Sequence, residues 1–306
     1  MEPDLVKKKK IKVLIILGAA LAIIILTGLL ILFFRQKDKT YRLLKVYEMA
    51  GDGEVEREGI GKLDPYTNMN LESGDRIKLD EGVFNIKADD DKYIFLNEKT
   101  ELVLEATGDE KNSKIRINLL SGGITNDIRN KLTGDSSYEV NTPNSTMSVV
   151  GTIFFVCNYQ ENGIEYTKVS VFDGTVSTKL KYQDGTLSTE EVKVSSGKEV
   201  LIYQDENTTD YIMRDVAYDE LPENVLRILG RLADEDRPLS ITKEEIVKLL
   251  EGPFTVIFTY EGREFGRQTV KKGEYVAKPT LAPASGGEWD YDFTKPVDRD
   301  LIIEWK

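Results

Sequence analysis

The most uniform hydrophobic pattern in the chain lies close to its N-terminus. Residues 13–34 read VLIILGAALAIIILTGLLILFF, a run without charge in which Thr27 carries the only polar side chain. A bilayer core is crossed by a helix of ~20 apolar residues, whereas the apolar region of a cleaved signal peptide has only ~7–15. The run therefore predicts an uncleaved transmembrane signal anchor that contacts the lipid bilayer, and a buried core helix is the alternative interpretation.

Charged segments flank this run on both sides. Residues 1–12 form a short basic tail with five lysines, and residues 35–48 form a charged juxtamembrane linker. Lysines before a first transmembrane helix favour a cytoplasmic N-terminus. The predicted location is therefore the cell membrane, with a single span and with everything after residue 48 outside the cytoplasm.

The pattern over residues 49–205 is a series of short alternating stretches separated by turn residues. The clearest stretches are Ile77–Leu79, Phe84–Ile86, Ile94–Leu96, Leu102–Leu104, Ile115–Ile117, Tyr138–Val140, Val149–Cys157, Val169–Val171, Val192–Val194 and Val200–Ile202. Strands of this length at regular spacing predict an all-β domain, either a sandwich or a β-solenoid-like fold. Asp173-Gly174 between two such stretches predicts a β-hairpin.

Helical signals replace the alternation after residue 205. Residues 206–252 read as a connector that is polar over 206–213 and then helical. Pro222 is suited to a helix start, and Thr242 with Glu245 forms a capping-box pattern. The apolar stripes of the two predicted helices indicate packing against a neighbouring domain, with a groove for a partner helix as the alternative.

The last segment, residues 253–306, returns to β structure. Strands are predicted at Phe254–Tyr260, around Gln268–Val270 and at Leu301–Trp305. The complete fold class is thus mainly β: a transmembrane helix, a large β domain, a short helical segment and a small C-terminal β module.

Composition removes several classes of function. The net charge of −12 repels phosphate backbones, so no nucleic-acid partner is expected. The chain has no histidine, which excludes catalytic triads and metal sites that depend on imidazole. Its one cysteine, Cys157, cannot form an intramolecular disulfide and is expected to be a small core residue.

Residues 136–177, SSYEVNTPNSTMSVVGTIFFVCNYQENGIEYTKVSVFDGTVS, carry a motif of T-P, then G-T-x-F-x-V, then an acidic residue followed by G-x-V. This order resembles the FecR-type extracytoplasmic domain. The resemblance implies structural roles for Thr142, Pro143, Gly151, Thr152, Phe154, Val156, Asp173, Gly174 and Val176. The best-known proteins of this type hold a sigma factor inside the cell and sense a receptor outside it. Residues 1–12 are too short for a sigma-binding domain, so that activity is not expected as a whole.

The C-terminal segment carries a second pattern, Q-T-V-K-K-G-E-Y-V-A-K-P at residues 268–279, with alternating apolar residues that end at Trp305. It resembles an internalin-type B-repeat, a small β-grasp-like surface module. The resemblance implies a single binding module on the cell surface.

No sequence feature predicts catalysis. Asp89-Asp90-Asp91 could supply oxygen ligands to calcium, but it lacks the spacing of a ligand loop, and no pair of carboxylates stands out among the 53 acidic residues. We expect no catalytic residue, metal or cofactor. The leading hypothesis is a binding or scaffold protein of the bacterial envelope that contacts an envelope protein or wall glycan through its β domains. The alternative is a FecR-like transmembrane signalling component.

Overall fold

The computed structural model describes Thr27 and residues 44–108 and 112–306. Within these residues, no helix has the length and apolar character that a bilayer crossing requires. The predicted fold class is corrected accordingly: the supported fold is mainly β, and an N-terminal transmembrane helix is not a supported part of it. Apart from Thr27, the predicted span over 13–34 lies outside the described residues, as does the basic tail 1–12.

Strands dominate the described part of the chain. The first nine are β1 Leu44–Arg57, β2 Gly61–Leu63, β3 Asp75–Ala88, β4 Lys92–Leu96, β5 Thr100–Thr107, β6 Lys114–Ile128, β7 Ser137–Asn141, β8 Ser145–Val149 and β9 Ile153–Glu161. The others are β10 Ile164–Asp173, β11 Thr175–Leu180, β12 Val192–Ser195, β13 Lys198–Gln204, β14 Thr209–Asp215, β15 Phe254–Tyr260, β16 Arg263–Val270 and β17 Leu301–Glu304. A 3-10 helix at Tyr218–Glu220 precedes two α-helices, α1 Glu223–Asp234 and α2 Lys243–Glu251. β1 begins inside the predicted linker 35–48.

Fourteen of the described strands form one sheet that is folded over on itself. The long strand β6 shows how: residues 114–118 pair with β5 and with β7, whereas residues 122–127 pair with β9 and residues 124–128 with β4. β3 changes partners in the same way, from β5 to β4. One layer therefore contains β5, β7, β8, β11 and β12, and the other contains β4, β9, β10, β13 and β14. This is a sandwich arrangement rather than a solenoid.

The main hydrophobic core lies between the two layers. Every strand from β3 to β13 contributes alternating side chains, of which Phe84, Leu102, Ile117, Val156 and Val169 are examples with no more than 1% exposure. Since each strand turns only every second side chain inward, the alternation in the sequence identifies this core directly.

Gly174 lies at a corner between the layers, and the predicted hairpin at Asp173-Gly174 is wrong. β10 pairs with β9 and β13, while β11 pairs with β8 and β12, so the strands on either side of Gly174 enter different layers. A Cβ at Gly174 would lie 2.6 Å from the carbonyl oxygen of Gly151, and its φ of 77° suits glycine. The sequence correctly predicted a sharp turn at this position. The turn leads the chain from one layer to the other and does not join two adjacent antiparallel strands.

The two α-helices cover part of the outer surface of the sheet. Val225, Leu229 and Ile246 pack with Phe95, Ile153, Phe155 and Phe172 in a second apolar cluster. The prediction that the helical stripes pack on a neighbouring domain is confirmed by this cluster. The predicted capping box is also present, since Thr242 accepts from the backbone N–H of Glu245 and the Glu245 carboxylate accepts from the N–H of Thr242.

Buried ion pairs fix the connection between α1 and α2 to the sheet. Asp127 on β6 is fully buried and accepts hydrogen bonds from Arg129 Nε at 3.0 Å and from Arg237 Nη2 at 2.6 Å. Arg237 follows α1, so this carboxylate joins the helical segment to the sheet. Arg129 also lies 4.3 Å from the centre of the Tyr93 ring.

Residues 253–306 form a three-stranded sheet of order β16-β15-β17, in which β15 and β17 are parallel. The three predicted strands are thereby confirmed. Their core contains Phe254, Val256, Phe258, Trp289 and Ile303. Lys272 reaches back to Glu223 at the start of α1, with 2.5 Å between Nζ and Oε2.

Candidate functional site

The outer surface of β9, β10, β13 and β14 carries exposed and half-buried apolar side chains beyond the part that the helices cover. The strand registers arrange its side chains in two rows across the four strands. The rows are Tyr159–Tyr166–Tyr203–Asp210 and Cys157–Lys168–Leu201–Ile212, and together we call them the open face.

Burial along β9 shows where the helices stop. Ile153 and Phe155 are buried beneath them, Cys157 is half-buried, and Tyr159 is 43% exposed. All four side chains point to the same side of the strand, because side chains alternate with a period of two. The outer surface therefore changes from a covered half to an open half within one strand.

The first row of the open face is a tyrosine ladder. The rings of Tyr159 and Tyr166 stack with 5.2 Å between their centres and 18° between their planes. Burial is the main cause that raises the pKa of Tyr159 above its ordinary value, with Cys157 and Tyr166 adding to it. The Tyr159 hydroxyl thus remains protonated near neutral pH, and each of the two rings offers an apolar face together with a hydroxyl group. Such side chains are enriched at protein interfaces because they bury a large area at little cost in conformational entropy.

The second row holds the only cysteine. Burial raises the pKa of the Cys157 thiol to about 11, although the neighbouring Lys168 lowers it in part. The thiol is consequently protonated at neutral pH and is a poor nucleophile or metal ligand. The expected core position is only partly correct, since Cys157 lies at the boundary between the covered and the open half.

An ion cluster borders the open face on the side of the helices. Glu199 is 1% exposed and accepts hydrogen bonds from Ser170 Oγ at 2.8 Å and from Arg214 Nε at 2.7 Å. Arg214 also donates to Glu220, and Lys168 lies 3.8 Å from Glu199. The hydrogen bond to Glu199 is the main cause that raises the pKa of Arg214. The cluster orients β14 against β13 at this border.

β14 forms the edge of this layer. Its partner is β13, and no further strand pairs with it within the part of the chain that the structure describes. Tyr211, Ile212 and Met213 are 39%, 56% and 42% exposed. Three consecutive exposed apolar residues on a sheet edge are unusual, because natural edges are normally protected by charge, proline or bulges.

The residues of the FecR-type motif lie away from the open face. Phe154, Val156 and Val176 are fully buried in the main core, and Thr152 is 1% exposed next to the Gly151–Gly174 contact. Asp173 precedes the corner at Gly174 and is half-buried.

The T-P turn between β7 and β8 holds a buried polar network. Thr142 is hydrogen-bonded to Ser145 Oγ at 2.7 Å, and Thr167 on β10 donates to Asn144 Oδ1 at 2.6 Å. The hydroxyl oxygens of Thr167 and Thr142 lie 2.9 Å apart. Pro143 is exposed at the tip of this turn. The network connects the two layers.

Two carboxylates of the acidic run at residues 89–91 form ion pairs with the neighbouring Lys92. Nζ of Lys92 lies 3.3 Å from Asp89 and 2.6 Å from Asp91, and Lys92 is only 4% exposed. A cation already sits between these carboxylates, which disfavours calcium. Within residues 44–108 and 112–306, no group of three or more cysteine and acidic side chains could hold a metal ion.

Carboxylates also gather in a surface groove of about 410 Å³ lined by Asp52, Asp80, Glu81 and Glu101 together with two lysines. Asp80 pairs with Lys78 at 2.8 Å, and Glu101 pairs with Arg76 at 2.5 Å. These pairs neutralise two of the four carboxylates. The groove contains no buried acid that is held ready for proton transfer.

Sequence reasoning missed the open face and assigned 206–213 to a polar connector. The structure instead extends the sheet with β14 at Thr209–Asp215. The apolar triplet Tyr211-Ile212-Met213 was the available signal. The tyrosine ladder was not detectable as a unit, because its members lie on three different strands that only the fold brings together.

A search of curated proteins finds no match to the chain. Among solved structures, it is similar to a "putative anti-sigma factor" from Parabacteroides distasonis ATCC 8503, determined at 1.65 Å and at 2.50 Å resolution. Both show 10% identity and a TM-score of 0.38. The alignments cover 76% and 75% of this chain, and 98% and 97% of the respective other chain. At this level of similarity, neither the fold nor the function of this chain is inferred from that structure.

The comparison with protein families is more specific, although it covers less than half of the chain. The matched segment lies within the predicted β domain of residues 49–205. The match does not extend to residues 253–306, so their resemblance to a B-repeat stays a prediction. The model for "FecR protein" matches residues 75–177, so this part of the chain is similar to that family.

Proposed function

We propose that the chain is a non-enzymatic regulatory component of FecR type that acts by binding an envelope protein through its open face. The observation that carries the proposal is the change of burial along β9, from Phe155 beneath the helices to Tyr159 in solvent. The FecR domain favours regulation over a purely structural scaffold.

The chemistry of the open face suits a protein partner. The tyrosine ladder supplies broad apolar area with hydroxyl groups, and Leu201 and Ile212 supply aliphatic contacts. Lys168 and Asp210 place opposite charges within the same surface. A mixed surface of this kind, with aromatic anchors inside a polar surround, is typical of specific interfaces.

The protonated thiol and the paired carboxylates support a binding role rather than a chemical one. Cys157 has a raised pKa, and Asp80 and Glu101 are already engaged with cations. The proposal therefore assigns no substrate and no cofactor to this chain.

Complementation in the source organism tests the proposal. The gene is deleted, and the transcripts are compared after return of the wild type, of a Tyr159→Ala/Tyr203→Ala variant or of a Tyr66→Ala/Tyr275→Ala control. The control tyrosines are 63% and 62% exposed and lie outside the open face. We expect the wild type and the control to restore a defined set of transcripts and the open-face variant to fail at equal protein level.

Two results would contradict the proposal. Full restoration by the open-face variant would remove the open face from the function. A deletion that alters cell-wall composition without changing any transcript would favour the scaffold hypothesis, with a wall glycan as the ligand.

The proposal also includes an extracytoplasmic position of the open face, as the FecR-type resemblance implies. Protease treatment of intact cells, followed by detection of a tag at Lys306, measures this position. Loss of the tag from intact cells is expected. Protection of the tag, even after the wall has been removed, would place the domain inside the cell.

A further inference from the structure

The exposed edge of β14 offers backbone groups in a definite register. The ladder with β13 continues beyond both ends of β14, where the N–H of Val216 donates to Gly197 and the N–H of Asp205 donates to Thr208. Both pairs follow the same register as the strand itself. Even-numbered residues of β14 therefore direct their backbone groups to β13, and odd-numbered residues direct theirs to the open edge.

Hydrogen bonding within β14 agrees with this assignment. The N–H of Tyr211, an odd-numbered residue, donates to the carboxylate of its own neighbour Asp210 at 2.8 Å. Met213 lies two residues further along and faces the same edge. A strand placed beside β14 would thus meet the backbone groups of Thr209, Tyr211, Met213 and Asp215.

The sequence of β14 is complementary to itself. When two copies of the strand run antiparallel about a two-fold axis at Ile212, Asp210 of each copy lies opposite Arg214 of the other. Tyr211 then lies opposite Met213, and the two Ile212 side chains meet at the axis. Ile212 falls on a non-hydrogen-bonded pair in this register, while Tyr211 and Met213 form hydrogen-bonded pairs. In these pairs the Tyr211 N–H exchanges the Asp210 carboxylate for the Met213 carbonyl oxygen of the other copy.

We propose that β14 pairs with β14 of a second copy of this chain, centred on Ile212, so that two sheets join into one across the pair. The proposal goes beyond the regulatory function proposed above and does not depend on it. Three observations support it together: an edge that pairs with no second strand among the described residues, the apolar triplet at residues 211–213, and the match of Asp210 to Arg214 about the axis. Closed two-fold pairing also buries the edge without leaving a new one, which avoids open-ended aggregation.

The pairing would place both open faces on the same side of a joined sheet. Asp210, Ile212 and Arg214 share the outer surface with Tyr203, Leu201 and Glu199 through the β13–β14 register. Two tyrosine ladders would therefore flank the axis, and a partner could contact both copies at once.

Site-specific crosslinking of the full chain tests the pairing. A Cys157→Ala background leaves no cysteine, and Ile212→Cys introduces one at the axis, where the Cβ atoms of a non-hydrogen-bonded pair approach to about 5 Å. We expect mild oxidation in cells to give a disulfide-linked dimer at twice the monomer mass. Tyr66→Cys, with 63% exposure at a distant site, serves as the control and should remain monomeric.

Proline at position 213 tests the register. Met213→Pro removes an N–H that faces the open edge and leaves the ladder to β13 intact. Symmetry removes this donor twice, so we expect dimer formation by the Ile212→Cys chain to fall about thirtyfold. Unchanged thermal unfolding of the proline variant would show that the fold is retained.

Charge reversal gives an independent readout. Asp210→Arg would place arginines at 210 and 214 opposite each other on both sides of the axis, and dimer formation should be lost. Equal crosslinking of Ile212→Cys and Tyr66→Cys, or full crosslinking despite both Met213→Pro and Asp210→Arg, would overturn the proposal. A crosslink of Ile212→Cys to a different protein in place of the dimer would also overturn it and would assign the edge to another partner.

Discussion

The two halves of the outer sheet surface share strands β9 and β10, but the helices cover one half and the other half faces solvent. Ile153 and Phe155 lie beneath α1 and α2, whereas Tyr159 and Tyr166 remain in contact with solvent. The difference follows from side-chain chemistry. The covered half presents mainly apolar groups such as Ile153 and Phe155, which are stabilised by burial, and the open half presents tyrosines that tolerate water through their hydroxyl groups. A single sheet surface thus serves stability at one end and, in the function proposed above, recognition at the other.

The largest expected effect distinguishes the two halves directly. Phe155→Ala removes a buried ring from the helix-covered cluster and should reduce the free energy of unfolding by about 3–5 kcal/mol. Tyr159→Ala, two residues away on the same strand and face, should cost less than about 1 kcal/mol because its ring is already 43% exposed. Urea unfolding of both variants measures the contrast. Equal losses would mean that the open half is also part of the stabilising core.

The next effect concerns the attachment of the helices. Asp127→Asn leaves Arg129 and Arg237 without their buried carboxylate, and we expect a loss of about 3 kcal/mol. The control is Glu235→Gln, since Glu235 is an exposed partner of the same Arg129 and its loss should cost less than about 1 kcal/mol. Thermal unfolding compares the two variants. A neutral Asp127→Asn would show that apolar packing alone holds the helices on the sheet.

The elements on the covered half were largely predictable from sequence. The stripe of α1 and the capping box at Thr242 are local patterns, and local periodicity is what a sequence displays. The strands of the main core were predictable for the same reason.

The pairing of strands was not predictable in this way. Asp173-Gly174 has the chemistry of a hairpin turn, but turn chemistry alone does not determine whether the next strand joins the same layer or crosses to the other. β14 was missed because an edge strand exposed on both faces shows no alternation of buried and polar residues. The open face depends on both features and therefore emerged only with the fold.

The boundary between the halves should respond to alkaline pH. Burial raises the pKa of Cys157 from 9.0 to about 11, so the folded state retains the thiol proton where the unfolded state has lost it. The stabilisation from the neutral thiol is complete below pH 9 and is lost as the pH rises towards 11. At ~1.36 kcal/mol per unit, the loss amounts to roughly 1–3 kcal/mol.

Comparison of the wild type with Cys157→Ala between pH 8 and 11 isolates this contribution from that of the tyrosines. The wild type should lose more stability than the variant over this range. Alkylation of the native thiol gives a second measure, with a rate at pH 8 about a hundredfold below that of an unperturbed cysteine. Parallel stability curves together with rapid alkylation would place Cys157 in the open half.

The smallest expected effect concerns the start of α2, which contributes Ile246 to the cover. Thr242 accepts the backbone N–H of Glu245, and Glu245 accepts that of Thr242, so the capping box satisfies two donors at the exposed helix start. Thr242→Ala should therefore cost about 1 kcal/mol. Glu244→Gln, in the same exposed turn, serves as the control and should cost a few tenths of a kcal/mol through the helix dipole.

Hydrogen exchange at Ile246 gives the local readout, because fraying of α2 accelerates exchange there before the sheet opens. If exchange accelerated equally at Ile246 and at Tyr203, the cover and the open face would unfold as one unit, and the division of the outer surface into two halves would not extend to its dynamics.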